Sequence, residues 1–527
     1  MISTLLINAT ILDGSGVPPI TTDVGIADDR IAFVGSAGDR EAQTRIDCSG
    51  KILAPGFIDV HAHSDELWLA LPRCDGKIAQ GVTTEIGGNC GSSVAPLYAP
   101  SVLQSMERSI ERLGIDSQWR TFDEFFTLVE RSRTALNVAT LVGLGTTRAA
   151  VAGDSERPLD RDELAKEAAL VSEACEHGAL GVSSGLIYPP SSYADAQELI
   201  AMAVAAREAG APIYASHIRD EGDRLVEAIA EALEIGARAE VRVQCSHHKA
   251  SGKQNWGKVH HTLAMIDRAR SRGVDVTCDV YPYTASWTEL ATILPADVRF
   301  GGLEATLGRL RDPQTATAIA LALSLRPESD WHDMLITEVG SQRNADVAGL
   351  RMDEIAARRG VSPTRAAIEL LRDEELEVGA IFFKMSEDDV AAVLSADFCC
   401  IGSDASSRAL LGPTARGVPH PRTFGTFPRV FARFVQQRAT IGRAEAVRKM
   451  TSLPAEIFGL RDRGTIAAGK FADVVVFDEN TIRDTATYEQ PYSFPAGIEH
   501  VFVNGTAVLR DGRFTNALPG RVLRSGG

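Results

Sequence analysis

Eight nearly continuous apolar runs, most followed by a stretch of helical periodicity, limit what this chain can fold into more than any other feature. The runs are GFIDVHAHSD, GVTTEIGGNCGSS, ALNVATLVGLGTTR, GALGVSSGLIY, APIYASHIRD, VRVQCSHHKA, GVDVTCDVYPY and FCCIGSDA; Arg224 to Ala237 typifies the helical stretches between them. A strand wetted on one face alternates apolar and polar residues, whereas a strand covered on both faces stays apolar throughout. Eight such runs alternating with helices predict an α/β fold, a (β/α)8 barrel of the TIM type, with its chemistry at the C-terminal strand ends. One long interruption, at about residues 288–378, separates the seventh and eighth runs. It carries helical patterns of its own and is expected to form a lid or subdomain over those ends.

The two ends of the chain read alike. Short β-type runs (LLINATIL, VGIADDRIAFVG, TRIDCSGKIL) fill the first fifty residues, and the same texture returns after Leu460 in FADVVVFDE and IEHVFVNGTAVLRDGRF. Asp28-Asp29 and Asn504-Gly505 are hairpin signals, the second because both residues accept the positive φ of a type I′ turn. Residues 1–55 and 461–527 are therefore expected to pair into one small β-domain, with 56–460 as the barrel between them.

Composition excludes several classes. With 54 Lys+Arg against 70 Asp+Glu, the net charge of −16 argues against a nucleic-acid partner. The apolar content, 44%, is too high for a disordered chain. MISTLLINATILDGSG lacks the basic and apolar regions of a signal peptide, and no run approaches the roughly 20 apolar residues of a membrane helix. Eight cysteines without a framework spacing suit reduced thiols, most of them buried, so a cytoplasmic protein with no membrane contact is expected.

Metal-ligand residue types collect at predicted strand ends. His61-Ala-His63 closes the first strand, and residues i and i+2 of an extended chain point the same way. A lone HxH is weak evidence, and a lone His on an apolar strand is more often a bonded core residue. His217 in IYASHIRDE and His247 in VRVQCSHHK repeat the placement on two later strands, which coincidence explains poorly. Asp404 in CIGSDASS could simply cap a helix. Cys90 in TEIGGNCGSS sits among glycines at the second strand's end. Together these are N, S and O donors of the kind that suit Zn2+. Neither dinucleotide nor P-loop glycine motif is present.

GFIDVHAHSD, GVTTEIGGNCG, SSGLIYPPSSYA, ASHIRDE, SHHKASG, YPYTAS, IGSDAS, PHPRTFGTFPR and AAGKFADVVVFD together resemble the amidohydrolase superfamily, and within it the N-acyl-D-amino-acid deacylases, or D-aminoacylases. The resemblance runs nearly end to end. It implies a small β-sandwich built from both termini beside the barrel, and a mobile inserted segment before the last strand. It implies that Cys90, His217 and His247 hold a tight zinc, that His61 and His63 form a second, weaker site sharing Cys90, and that Asp404 is both a site residue and the general acid/base. His247 is preferred over His248 because it shares strand parity with Val241, Val243 and Cys245. Many amidohydrolases carry a carboxylated lysine on the fourth strand; GALGVSSGL has none, consistent with Cys90 in that role.

Lys249 and Arg422, assisted by Tyr281, are implied to bind the substrate carboxylate. An anion entering a chain of net −16 needs fixed local cations, and Arg offers a bidentate fit. Trp287 departs from the family pattern, which has a small hydroxyl residue there in many members. The expected activity is zinc-dependent hydrolysis of N-acyl-D-amino acids. The alternatives are a cyclic-amide hydrolase of the hydantoinase or dihydroorotase type, and a non-catalytic scaffold.

Overall fold

The structure, a computed structural model, describes residues 1–526. Each of the eight apolar runs contains a strand, and these strands pair in parallel in chain order. Phe57–Asp59, Val82–Gly87 and Asn137–Thr140 make one sheet. Val142–Gly143, Val182–Gly185, Ile213–His217, Arg242–Cys245, Val276–Val280 and Cys399–Ile401 make a second. Only Leu141 separates Asn137–Thr140 from Val142–Gly143, so one stretch of chain serves both sheets. At the other edge a parallel bridge pairs Ala62 with Ala405, and Asp404 N donates to His61 O at 2.7 Å.

Burial explains the apolar runs: all six residues of Val82–Gly87 and all five of Ile213–His217 are buried. Helices Arg161–Glu176, Ala196–Glu208, Leu225–Ala239 and Lys258–Arg270 cover one side of the strands. The first begins with a reciprocal cap, in which Asp160 accepts from the Glu163 amide and Glu163 from that of Asp160.

The chain ends meet in a single nine-stranded mixed sheet. Val474–Phe477 runs antiparallel to Ile52–Pro55, and the two ends share a core that includes Leu6, Val24, Leu53, Val474 and Phe502. Both anticipated hairpins form, with Ala27 opposite Arg30 and Val503 opposite Thr506. Asn504 and Gly505 have φ of 46° and 77°, the positive pair of a type I′ turn.

Between the seventh and eighth core strands, Ser286–Glu289, Met334–Val339 and Val378–Phe382 form a three-stranded antiparallel sheet. Helices including Gly302–Arg311 and Pro363–Asp373 pack on it around a core of their own, with Leu310, Trp331, Met352 and Leu370. Among the described residues no helix is long and apolar enough to cross a membrane.

Candidate metal centre and active site

Cys90 Sγ lies 3.6 Å from both His217 Nδ1 and His247 Nε2, and those two nitrogens are 3.0 Å apart. Tetrahedral zinc, with bonds of about 2.0–2.3 Å, spaces its ligand atoms by roughly 3.3–3.6 Å, so this donor set fits zinc closely. His61 Nε2 is 3.3 Å from Cys90 Sγ and 3.6 Å from Asp404 Oδ1, and His63 Nε2 is 3.1 Å from the same oxygen. His61 thus connects the Cys90 group to a second cluster of His61, His63 and Asp404.

The local electrostatics suit a cation. Burial favours a neutral Cys90 thiol, but His61, His217 and His247 outweigh it and hold the group well below its ordinary pKa, as a thiolate. Burial likewise favours a protonated Asp404, and Arg422, His63, His247 and His61 pull it well below the carboxylate range. Cys90 is also the one cysteine of the eight that is not fully buried, and all eight are free.

Three of these residues occupy left-handed backbone: Cys90 has φ 54°, His247 35° and Asp404 51°. Non-glycine residues pay for this conformation, and it recurs where a side chain must be aimed. At Cys90 the neighbours make it possible. Gly88 and Gly91 also have positive φ, and a Cβ on either would meet backbone atoms, Leu141 O at 1.9 Å or Gly185 N at 2.6 Å. Ser183 on the fourth strand accepts from Gly91 N and donates to Gly88 O, so the strand without a lysine grips the Cys90 loop. Asp65 holds its other side, accepting from Gly88 N at 3.0 Å and the Thr140 hydroxyl at 2.7 Å; burial pushes its carboxyl up to about 7. No helix starts at Asp404, so it has no capping role here.

His247, not His248, turns towards Cys90, but strand parity is not the reason. Val241, Val243 and Cys245 pack in the cluster that includes the helix residues Ile235, Val259 and Ile266. Gln244 points the opposite way, to Asp279 and Cys400 Sγ. Parity alone would send His247 to the helix side; the strand ends at Cys245, and the left-handed turn at His247 reverses its direction. His248 bonds Thr262 at 2.8 Å instead.

Arg422 Nη1 sits 2.9 Å from Asp404 Oδ2 without an aligned hydrogen bond, leaving a buried donor unspent. Its guanidinium lies 4.5 Å from the centre of the Tyr281 ring. His420 sets its backbone, accepting from Arg422 N at 3.0 Å and donating to Ala285 O at 2.9 Å. Lys249 is also brought to the site, but behind His247: Nζ is 2.8 Å from His247 Nδ1 and bonds Glu221. Trp287 lines the pocket beside His63, Asp404 and Arg422, and its indole N–H goes to Thr337 of the insertion at 2.9 Å.

Two residues that steer the histidines escaped the sequence reading. Glu221 Oε1 is 2.9 Å from His247 Nδ1 and 4.0 Å from His217 Nε2. Asp279 accepts from His247 N at 2.8 Å, and the same oxygen is 3.4 Å from His61 Nδ1. The available signals were a carboxylate four residues after a strand-end histidine and another inside an apolar strand, where burial demands a partner.

Residues 44–509 match the amidohydrolase family, and the chain belongs to that family. Within it, the chain is 38% identical to the N-acyl-D-glutamate deacylase of Alcaligenes xylosoxydans xylosoxydans, over 98% of this chain and 95% of that one. It is 37% identical to the D-aminoacylase of the same organism, over 98% and 97%. The crystal structure of the N-acyl-D-glutamate deacylase from Bordetella bronchiseptica, complexed with zinc and a phosphonate inhibitor, superposes with a TM-score of 0.83 at 35% identity, over 99% of both chains. The D-hydantoinase of Bacillus sp. AR9, at 15% identity and a TM-score of 0.56, shares the fold alone.

Proposed function

We propose that this chain is a zinc-dependent hydrolase that cleaves the amide bond of N-acyl-D-amino acids, releasing a carboxylate and a free D-amino acid. On this reading its eight parallel strands close into a (β/α)8 barrel, beside a β-sandwich made from both termini, and its free cysteines suit a reducing cytoplasm. The observation that carries it is the convergence of Cys90, His217, His247 and Asp404 within reach of a buried arginine. The nearly full-length similarity to deacylases of D-configured substrates supports the stereochemistry.

Cys90, His217 and His247 would hold one zinc tightly, and His61, His63 and Asp404 a second more weakly, with Cys90 shared. Bound zinc supplies Lewis-acid polarisation of the carbonyl and a water acidic enough to ionise near neutral pH. Asp404 takes the proton of the attacking water on a carboxylate oxygen and delivers it to the departing amine nitrogen. Arg422 offers its spare N–H to the substrate carboxylate, with Tyr281 packed against the guanidinium and Lys249 adding positive charge behind. As that carboxylate draws on Arg422, the cation's hold on Asp404 weakens and the base strengthens.

A cyclic-amide hydrolase would share the strand-end histidines, but its fourth-strand lysine has no counterpart; Ser183 props the Cys90 loop instead. Bound-zinc stoichiometry, combined with rates on a panel of N-acyl amino acids and cyclic amides, separates these readings and also tests for a non-catalytic scaffold.

A further inference from the structure

Beneath the metal-ligand cluster lies a group of charges with no role in the proposed reaction. Lys77, on the short helix Asp75–Ile78, is fully buried. Its Nζ is 2.6 Å from Asp59 Oδ2 and 2.9 Å from Glu85 Oε1, and both carboxylates are fully buried too. The same ammonium donates to Ser403 Oγ at 2.8 Å and to Ala405 O at 3.0 Å.

Ser403 and Ala405 are the residues on either side of Asp404. Ser403 is further fixed by its own amide, which donates to Asp59 Oδ1 at 2.8 Å, and its Oγ accepts from Ala405 N at 3.2 Å. Asp59 lies two residues before His61, on the first core strand, and accepts from His61 N at 3.3 Å. Glu85 lies five residues before Cys90, on the second strand, and is bonded by Ser64 at 2.7 Å and Trp68 Nε1 at 2.9 Å. One cation therefore joins the three strand ends that bear His61 and His63, Cys90, and Asp404.

We propose that Lys77 is a positioning residue for catalysis: it grips both neighbours of Asp404, holds that residue's left-handed turn, and ties it in register to the histidine and cysteine strands. This rests on the deacylase reading for its kinetic consequence. Simple pairing of buried charge would need Asp59 and Glu85 only; the bonds to Ser403 and Ala405 are what that explanation leaves over.

Two variants of the full-length protein test it. Ser403→Ala removes one grip while leaving Lys77 three acceptors, Asp59, Glu85 and Ala405 O, for its three N–H groups. Lys77→Met with Glu85→Gln removes the cation together with one carboxylate, so the formal charge of the cluster is unchanged, and Asp59 keeps the amide donors of His61 and Ser403. Outer partners of this kind are worth about 10- to 100-fold in activity. Both variants are expected to lose kcat by about tenfold or more on N-acetyl-D-methionine, with KM within about twofold, and with zinc content and unfolding temperature close to the parent. Loaded with two equivalents of Co2+, both should show altered visible absorption bands, because donor geometry changes. Parental kcat and parental cobalt spectra would overturn the proposal, as would a loss that appears only as unfolding or as metal release. A parent inactive on every acyl-D-amino acid counts against the deacylase reading alone; the cobalt comparison still decides the role of Lys77.

Discussion

Arg422 and Asp404 form a buried ion pair, Nη1 to Oδ2 at 2.9 Å, whose guanidinium is not fully spent on its partner. The pair keeps Asp404 ionised, and on the proposed function it also presents a cation to an incoming carboxylate. Arg422→Gln should therefore lower kcat/KM by about 10- to 100-fold, the range for a hydrogen bond to a charged group. Arg422→Lys should recover little, since a point charge does not reproduce a planar fork. Steady-state kinetics of the two variants check this, and full recovery by lysine would count against a bidentate role.

Asp404→Asn tests the proton shuttle. The amide is the same size and can stay close to Arg422, so folding and the Cys90, His217 and His247 donors should persist. Turnover should fall by at least about 100-fold, as expected on losing a general acid/base. Equal zinc content with residual kcat above a tenth of the parent's would remove Asp404 from that role.

Glu221 holds His247 Nδ1 at 2.9 Å and so fixes which nitrogen faces Cys90. Glu221→Gln should weaken metal binding by about 10- to 100-fold, measured by competition with a chromophoric chelator. Unchanged affinity would show that His247 is oriented without it.

Much of this was legible in the sequence, for identifiable reasons. The parallel strands announced themselves because burial on both faces demands unbroken apolar runs, as in GVTTEIGG. Ligand types stood out because His and Cys at successive strand ends have no common structural cause. What stayed hidden depended on backbone geometry beyond the strands. His247 was preferred on parity, yet it reaches Cys90 through a left-handed turn that no periodicity records. The roles of Glu221 and Lys77 stayed hidden because one telling partner of each, His247 and Ser403, lies 26 and 326 residues away, and only the fold brings them together.

Glu167 supplies a pH test remote from the metal ligands. It is fully buried, its Oε1 accepts from Thr147 at 2.8 Å, and burial, reinforced by Glu198, pushes its carboxyl up to about 8. A group whose folded pKa is raised gives its full stability below the unfolded value, near 4.5, and loses it as pH rises towards 8. The loss is on the order of 5 kcal/mol at its fullest. Glu167→Gln, neutral at every pH, should match the parent's thermal midpoint near pH 5 and exceed it by a few degrees at pH 8.5. A difference that does not vary with pH would contradict the shift.

The reaction itself is tested most directly by initial rates of the zinc-reconstituted full-length protein on N-acetyl-D-methionine and N-acetyl-L-methionine. The proposed function, through the chain's similarity to deacylases of D-configured substrates, predicts hydrolysis of the D-enantiomer at least about 100-fold faster, a discrimination of roughly 2.7 kcal/mol. Equal rates on the two enantiomers, or no hydrolysis of either, would contradict the account.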